Sequence, residues 1–149
     1  MDLKYQFYIA AKKEDVWQIL ISPEGTKKTV YGSTIRSTFE IGASIDYVGP
    51  GKDGDETVYL YGNVLEFEPN QVLSYSEHPG PSYYPDHAEH TTRVTFTLET
   101  VGNCTKLTVI NDQWSANHPS RVHTENNWPV ILSNIKTYAE TGSTLDLGW

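Results

Sequence analysis

One cysteine, Cys104, is present, so the chain cannot close an internal disulfide. A fold stapled by crosslinks is excluded, and a reducing compartment is the simple expectation. Basic residues are scarce: 11 Lys and Arg stand against 19 Asp and Glu, for a net charge of −8. A nucleic-acid binder needs a basic stripe. The only basic clusters are Lys12–Lys13 and Lys27–Lys28, too short to follow a phosphate backbone. The same shortage disfavours an anionic membrane surface. No apolar run approaches the ~20 residues of a membrane-spanning helix. No secretory leader is visible, because Leu3, Tyr5, Phe7 and Ile9 alternate with other residues in the period of a strand. A cytoplasmic, soluble protein is the expectation. Also missing are a Gly-x-Ser-x-Gly turn, a phosphate loop and a Gly-rich dinucleotide fingerprint, so neither a cofactor nor a dedicated catalytic constellation is expected.

What is present fits one domain, 1–149, long enough for a core of its own. Aromatics are abundant, with ten Tyr and four Trp. Such side chains give apolar area with a polar tip, suited to an outer sheet face or a cavity wall. Residues 3–10 alternate as a half-buried strand. Val16, Ile19 and Leu20 then recur at helical spacing beside Trp17. Ser22 fits the N-cap of a second short helix, with Pro23 in its first turn, ending near Gly32. From Ser33 the period becomes two. Strands are expected over 33–40, 44–49, 56–68, 71–78, 91–100 and 105–114, separated by Gly, Pro and Asn turns. Short connections imply an antiparallel meander. The long 79–90 connection carries three prolines and two tyrosines, a candidate for function or mobility. Trp128, Ile131, Leu132, Ile135, Tyr138 and Ala139 share one face of a closing helix that Gly142 stops.

The helix must bury its apolar face, and the sheet is the only large apolar surface available. A twisted sheet of about seven strands curls. A curled sheet and one helix need not meet flush, and the gap between them becomes a pocket.

Several segments together carry a resemblance. They are Asp15–Leu20 followed by Ser22-Pro23-Glu24, the turn in Phe39–Ile45, and Gly62-Asn63-Val64-Leu65-Glu66 running to Pro69. Arg93–Leu98, Thr105–Val109 and Asn127–Lys136 with Glu140-Thr141-Gly142 complete the set. In order and spacing they resemble the helix-grip SRPBCC (START-like) superfamily, in its branch of homologues of the activator of heat-shock protein 90 ATPase. The resemblance implies an α+β, helix-grip (START-like, Bet v 1-like) fold. In it a curved antiparallel sheet of about seven strands packs on a long C-terminal helix, with two short helices after the first strand. Members include binders of lipid-like or aromatic molecules, polyketide cyclases and co-chaperone domains, and fold alone does not choose among them.

Alternation places Tyr75 with Leu73, Phe96 with Val94 and Leu98, and Asn111 with Leu107 and Val109. If those partners face the core, Tyr75, Asn111 and Gln113 point inward too. Trp128, Leu132 and Ile135 face them from the helix, and Trp17 closes one end. The candidate ligand-binding residues are therefore Trp17, Tyr75, Phe96, Val109, Asn111, Trp128, Leu132 and Ile135. A filled core with paired polar atoms is the ordinary alternative. Strand 56–68 has apolar side chains on both faces, and Gly62 is a candidate for a bulge that switches them. His78, Asp86, His87, Glu89 and His90 crowd one segment, but three prolines and no helix signal argue for solvated loop residues over a metal site. Glu77, Asp112 and Glu125 are candidates for proton transfer, with surface carboxylates the plainer reading. Binding of a hydrophobic or aromatic small molecule is the leading expectation. A polyketide-cyclase-like enzyme in the same cavity and a co-chaperone-like interaction module, with a chaperone or other protein as partner, are the alternatives. The oligomeric state stays open.

Overall fold

The computed structural model describes residues 2–148. Strand β1 (Leu3–Ile9) is followed by helices α1 (Lys13–Ile21) and α2 (Pro23–Thr29). Six strands come next: β2 (Thr34–Ser37), β3 (Ser44–Pro50), β4 (Glu56–Glu68), β5 (Val72–Pro79), β6 (Thr92–Val101) and β7 (Cys104–Asp112). Helix α3 (Arg121–Thr141) closes the chain's regular structure. The seven strands form one sheet in the order β1-β7-β6-β5-β4-β3-β2, every neighbouring pair antiparallel. The meander runs from β2 to β7, and β1 completes the far edge beside β7. This is the helix-grip arrangement. Among the described residues no helix is long and apolar enough to cross a membrane.

Local chemistry sets the short helices. The Ser22 hydroxyl accepts from the Gly25 amide at 3.0 Å, and Pro23 opens α2. Gly25 lies against the end of α1, where a Cβ would stand 2.4 Å from the Ile19 carbonyl oxygen. This close approach lets two helices turn on a single residue. Helix α2 ends at Thr29, before the expected Gly32, because Tyr31 and Gly32 both take positive φ. Helix α3 starts seven residues ahead of Trp128 and ends on a left-handed Gly142 whose amide bonds the Tyr138 carbonyl at 2.9 Å.

The strand edges differ from the sequence expectation. Strand β2 stops at Ser37, and Phe39 takes a positive φ of 61°. Strand β7 stops at Asp112. Gln113 then takes φ 54° and is exposed, so it does not point inward. The ambiguity in β4 resolves through two bulges, neither at Gly62. Its register with β3 shifts by one residue at Tyr59, and its register with β5 shifts by one at Leu65. Leu60, Gly62 and Val64 therefore face inward, as does Phe67 beyond the second bulge. Gly62 answers to a different demand: a Cβ there would lie 1.7 Å from the Ser76 carbonyl oxygen of β5.

The inner face is continuous across the sheet. Phe7 pairs Leu107, Leu107 pairs Leu98, Val109 pairs Phe96, and Phe96 pairs Leu73. Helix α1 covers one end with Val16, Trp17, Ile19 and Leu20, all buried. Trp17 packs on Phe67 at 5.5 Å between ring centroids, and Phe67 stacks on Phe39 at 5.1 Å. Helix α3 buries Trp128, Leu132 and Ile135.

Candidate functional site

The inner face is not filled everywhere. A cavity of about 610 Å³ lies between the β3–β6 side of the sheet and α3. Volumes of this order suit small-molecule sites. Ile19 and Leu20 of α1 and Thr26 and Thr29 of α2 close one side. The sheet supplies Tyr47, Tyr59, Leu60, Tyr75, Glu77, Pro79 and Phe96. Helix α3 supplies His123, Thr124, Asn127, Trp128, Ile131 and Ile135, mostly at three- and four-residue steps along one face. Tyr83 and Tyr84 reach the cavity from the 79–90 connection. The Tyr84 and Ser120 hydroxyls lie 3.5 Å apart, bridging this loop to the start of α3.

Of the residues proposed from sequence, Tyr75, Phe96, Trp128 and Ile135 stand in the cavity wall. Trp17, Val109, Asn111 and Leu132 are buried in the packed core outside it. Asn111 nevertheless shapes the wall. Its side-chain amide donates to the Thr92 hydroxyl at 2.8 Å and the Arg93 carbonyl at 3.0 Å. Its oxygen accepts from the Trp128 indole nitrogen at 3.1 Å. A buried amide with these bonds made fixes the indole plane, which also lies edge-on to Phe96 at 5.9 Å.

Tyr47 and Tyr75 form a buried pair whose hydroxyls share a hydrogen bond of 3.1 Å. Burial pushes both phenols above their ordinary range, with the neighbouring Glu77 charge acting in the same direction. Both stay neutral at any ordinary pH. Glu77 is 8% exposed and lies opposite Thr92 on the inner face. Burial alone pushes its carboxyl up to about 7, with no hydrogen bond or ion pair from the described residues to offset it. The other two carboxylates weighed from sequence lie elsewhere. Asp112 is bound through both oxygens by Arg93, at 2.9 and 2.6 Å, which holds its carboxyl below the usual range. Glu125 pairs with Arg121 at 3.1 Å, and its side chain is 55% exposed. Only Glu77 can meet a guest in the cavity.

The histidine segment serves the loop. The His78 Nδ1 bonds the His90 carbonyl at 2.7 Å, and His90 Nε2 meets Asp86 at 3.0 Å. Tyr61, on the outer face of β4, stacks on His78 at 4.9 Å and bonds His87 Nδ1. These contacts pin a short 3-10 turn at His87–Glu89 against β4 and β5. Among the described residues no three His, Cys, Asp or Glu side chains converge for a metal ion.

Sequence reasoning did not single out Tyr47, Tyr59, Tyr83, Tyr84 or the polar residues at the start of α3 as wall residues. Helical spacing from Trp128 back to Thr124 and Ser120 carried that signal. No sequence signal placed Tyr59, because a bulge turns it inward; its hydroxyl donates to the Pro50 carbonyl at 2.6 Å.

Comparisons with known proteins agree with this architecture. The chain is similar to the Aha1 dimer from Colwellia psychrerythraea in solution, at 22% identity and a TM-score of 0.71, over 95% of this chain and 98% of that one. It is similar to ChR145 from Cytophaga hutchinsonii, at 27% identity and a TM-score of 0.71, over 93% of this chain and 92% of that one. DynU16, a protein of the dynemicin biosynthetic locus, matches at 20% identity and a TM-score of 0.72, over 96% of this chain and 48% of that one. No curated protein matches the chain. The sequence pattern of the family described as Activator of Hsp90 ATPase homolog 1-like protein matches residues 10–140, and the chain belongs to that family.

Proposed function

We propose that the protein binds a hydrophobic or aromatic small molecule in the cavity between the sheet and α3. The observation that carries this reading is the cavity itself: about 610 Å³, walled largely by aromatic and aliphatic side chains. A few polar groups punctuate the wall, the pattern of a site that orients an apolar guest. The indole of Trp128 is in the wall and held by Asn111, so it reports on whatever enters. The loop carrying Tyr83 and Tyr84 stands at the rim beside the start of α3 and is placed to cover a guest.

Tryptophan fluorescence titrated with a panel of neutral aromatic and aliphatic compounds tests the reading. A saturable change is expected for at least one compound. Ile131→Trp should weaken that binding at least about tenfold by filling space from α3, while circular dichroism shows the fold retained. No saturable response across the panel, or an unchanged affinity in the filled variant, would count against a guest in this cavity.

A further inference from the structure

The wall has a one-sided electrostatic character. Among the described residues neither Lys nor Arg lines the cavity, and Glu77 is its single carboxylate. The titratable groups contributed by the surrounding elements are Tyr31 from the connection after α2, Tyr47 from β3, Tyr59 from β4, Tyr75 beside Glu77 on β5, Tyr83 and Tyr84 from the loop, and His123 from α3. The parts of α1, α2 and β6 that line the cavity contribute none. Among the described residues no fixed cation faces Glu77, and none donates a hydrogen bond to it. Glu77 is largely buried and lines the cavity, so as a carboxylate it is costly to hold there without a counter-charge.

The chemistry of a guest can be sorted against this wall. An anionic guest, such as a fatty acid, would find no cation and would face a like charge at Glu77. A neutral guest would leave Glu77 unmatched as a carboxylate. A protonated amine supplies the missing counter-charge. Its apolar body meets the rings of Phe96 and Trp128, and the faces of tyrosine and tryptophan attract organic cations. The net charge of −8 also draws cations towards the protein. We propose that the cavity takes an apolar organic cation, a protonated amine on an aromatic or aliphatic body, with the Glu77 carboxylate as its counter-charge. This rests on the small-molecule reading above and names the chemical class of the guest.

Three probes of one shape test it: 2-naphthylethylamine, 2-naphthylethanol and 2-naphthylacetic acid, titrated by calorimetry into the wild-type protein and Glu77→Gln. The amine should bind wild type at least about tenfold more tightly than the alcohol, and the acid more weakly still. In Glu77→Gln the amine should lose that advantage, while the alcohol changes less than about threefold. Amine binding near pH 6 should also release a proton from Glu77. Calorimetry in two buffers of different ionisation enthalpy reads that release, and it should fall in Glu77→Gln. Equal binding of amine and alcohol, or tighter binding of the acid, overturns the charge assignment and leaves the cavity reading standing. Binding of none of the three overturns both. Should Glu77→Gln fail to fold, the wild-type ranking and proton release decide the matter.

Discussion

Replacing Glu77 with glutamine should stabilise the protein by an amount that grows with pH. Burial lifts the Glu77 carboxyl from the ordinary 4.5 to about 7. Between those values the folded protein holds a proton that the unfolded chain has released. Stability from this group is therefore fully present below 4.5, falls as pH rises towards 7 and is flat above it. A displacement of about 2.5 units at roughly 1.4 kcal/mol each corresponds to about 3 kcal/mol. Glutamine has nearly the shape of the neutral carboxyl and does not titrate. The variant should match wild type near pH 4 and exceed it by about 3 kcal/mol near pH 8. His118 works with the opposite sign. Burial first, then the neighbouring His90 and His78, pushes its imidazole down to about 4, so it favours folding less as pH falls below 6.5. That contribution is common to both proteins and cancels in their difference. Urea unfolding followed by tryptophan fluorescence, on both proteins across this pH range, measures the difference directly. A gap that does not change with pH would refute the reasoning, because it would mean that the folded protein solvates or pairs the Glu77 carboxylate.

Three further substitutions probe the supports of the site. Asn111→Ala strips the Trp128 indole of its acceptor and leaves the Thr92 hydroxyl and Arg93 carbonyl without their donor. The expected loss is about 2–3 kcal/mol by urea unfolding, with a shift in Trp128 emission. Gly62→Ala forces a methyl group against the Ser76 carbonyl oxygen, so β4 and β5 must separate. A loss of about 3 kcal/mol or more is expected, and a Tm within 2 °C of wild type, roughly half a kcal/mol or less, would be inconsistent with that packing. Tyr61→Phe removes the bond to His87 and leaves the stacking on His78. Amide exchange should quicken within 79–90, while global stability changes by less than about 1 kcal/mol.

The fold was legible because each element carries its own period, and the caps are written in side chains. Ser22 with Pro23 starts α2, and Gly142 ends α3. The two bulges of β4 were not legible, since a period of two says nothing about where an extra residue is inserted. They follow from β3 and β5 each pairing with β4 in two registers one residue apart. The carboxylates show the same divide. The tight Gly102-Asn103 turn fixes the β6–β7 register, which sets Arg93 opposite Asp112, so that ion pair was within reach of sequence reasoning. Glu77 pairs across the long 79–90 connection, whose length fixes no register, so its burial beside Thr92 had to come from the structure.

The position of the cavity follows from α3 itself. Its C-terminal half presents Leu132 and Ile135, both buried in the core, with Leu132 outside the cavity wall and Ile135 in it. Its N-terminal half presents the polar side chains of His123, Thr124 and Asn127 to the cavity in place of large aliphatic groups. Asn127 is already engaged, accepting from the Tyr31 hydroxyl at 3.1 Å. A helix with leucines at those three positions would close the gap and gain apolar burial. Polar side chains there leave the space open at the end of the sheet where Glu77 stands. Thr124→Leu combined with Asn127→Leu should therefore raise stability and abolish binding together. An increase in stability with binding intact would show that the guest sits somewhere other than beneath the first half of α3.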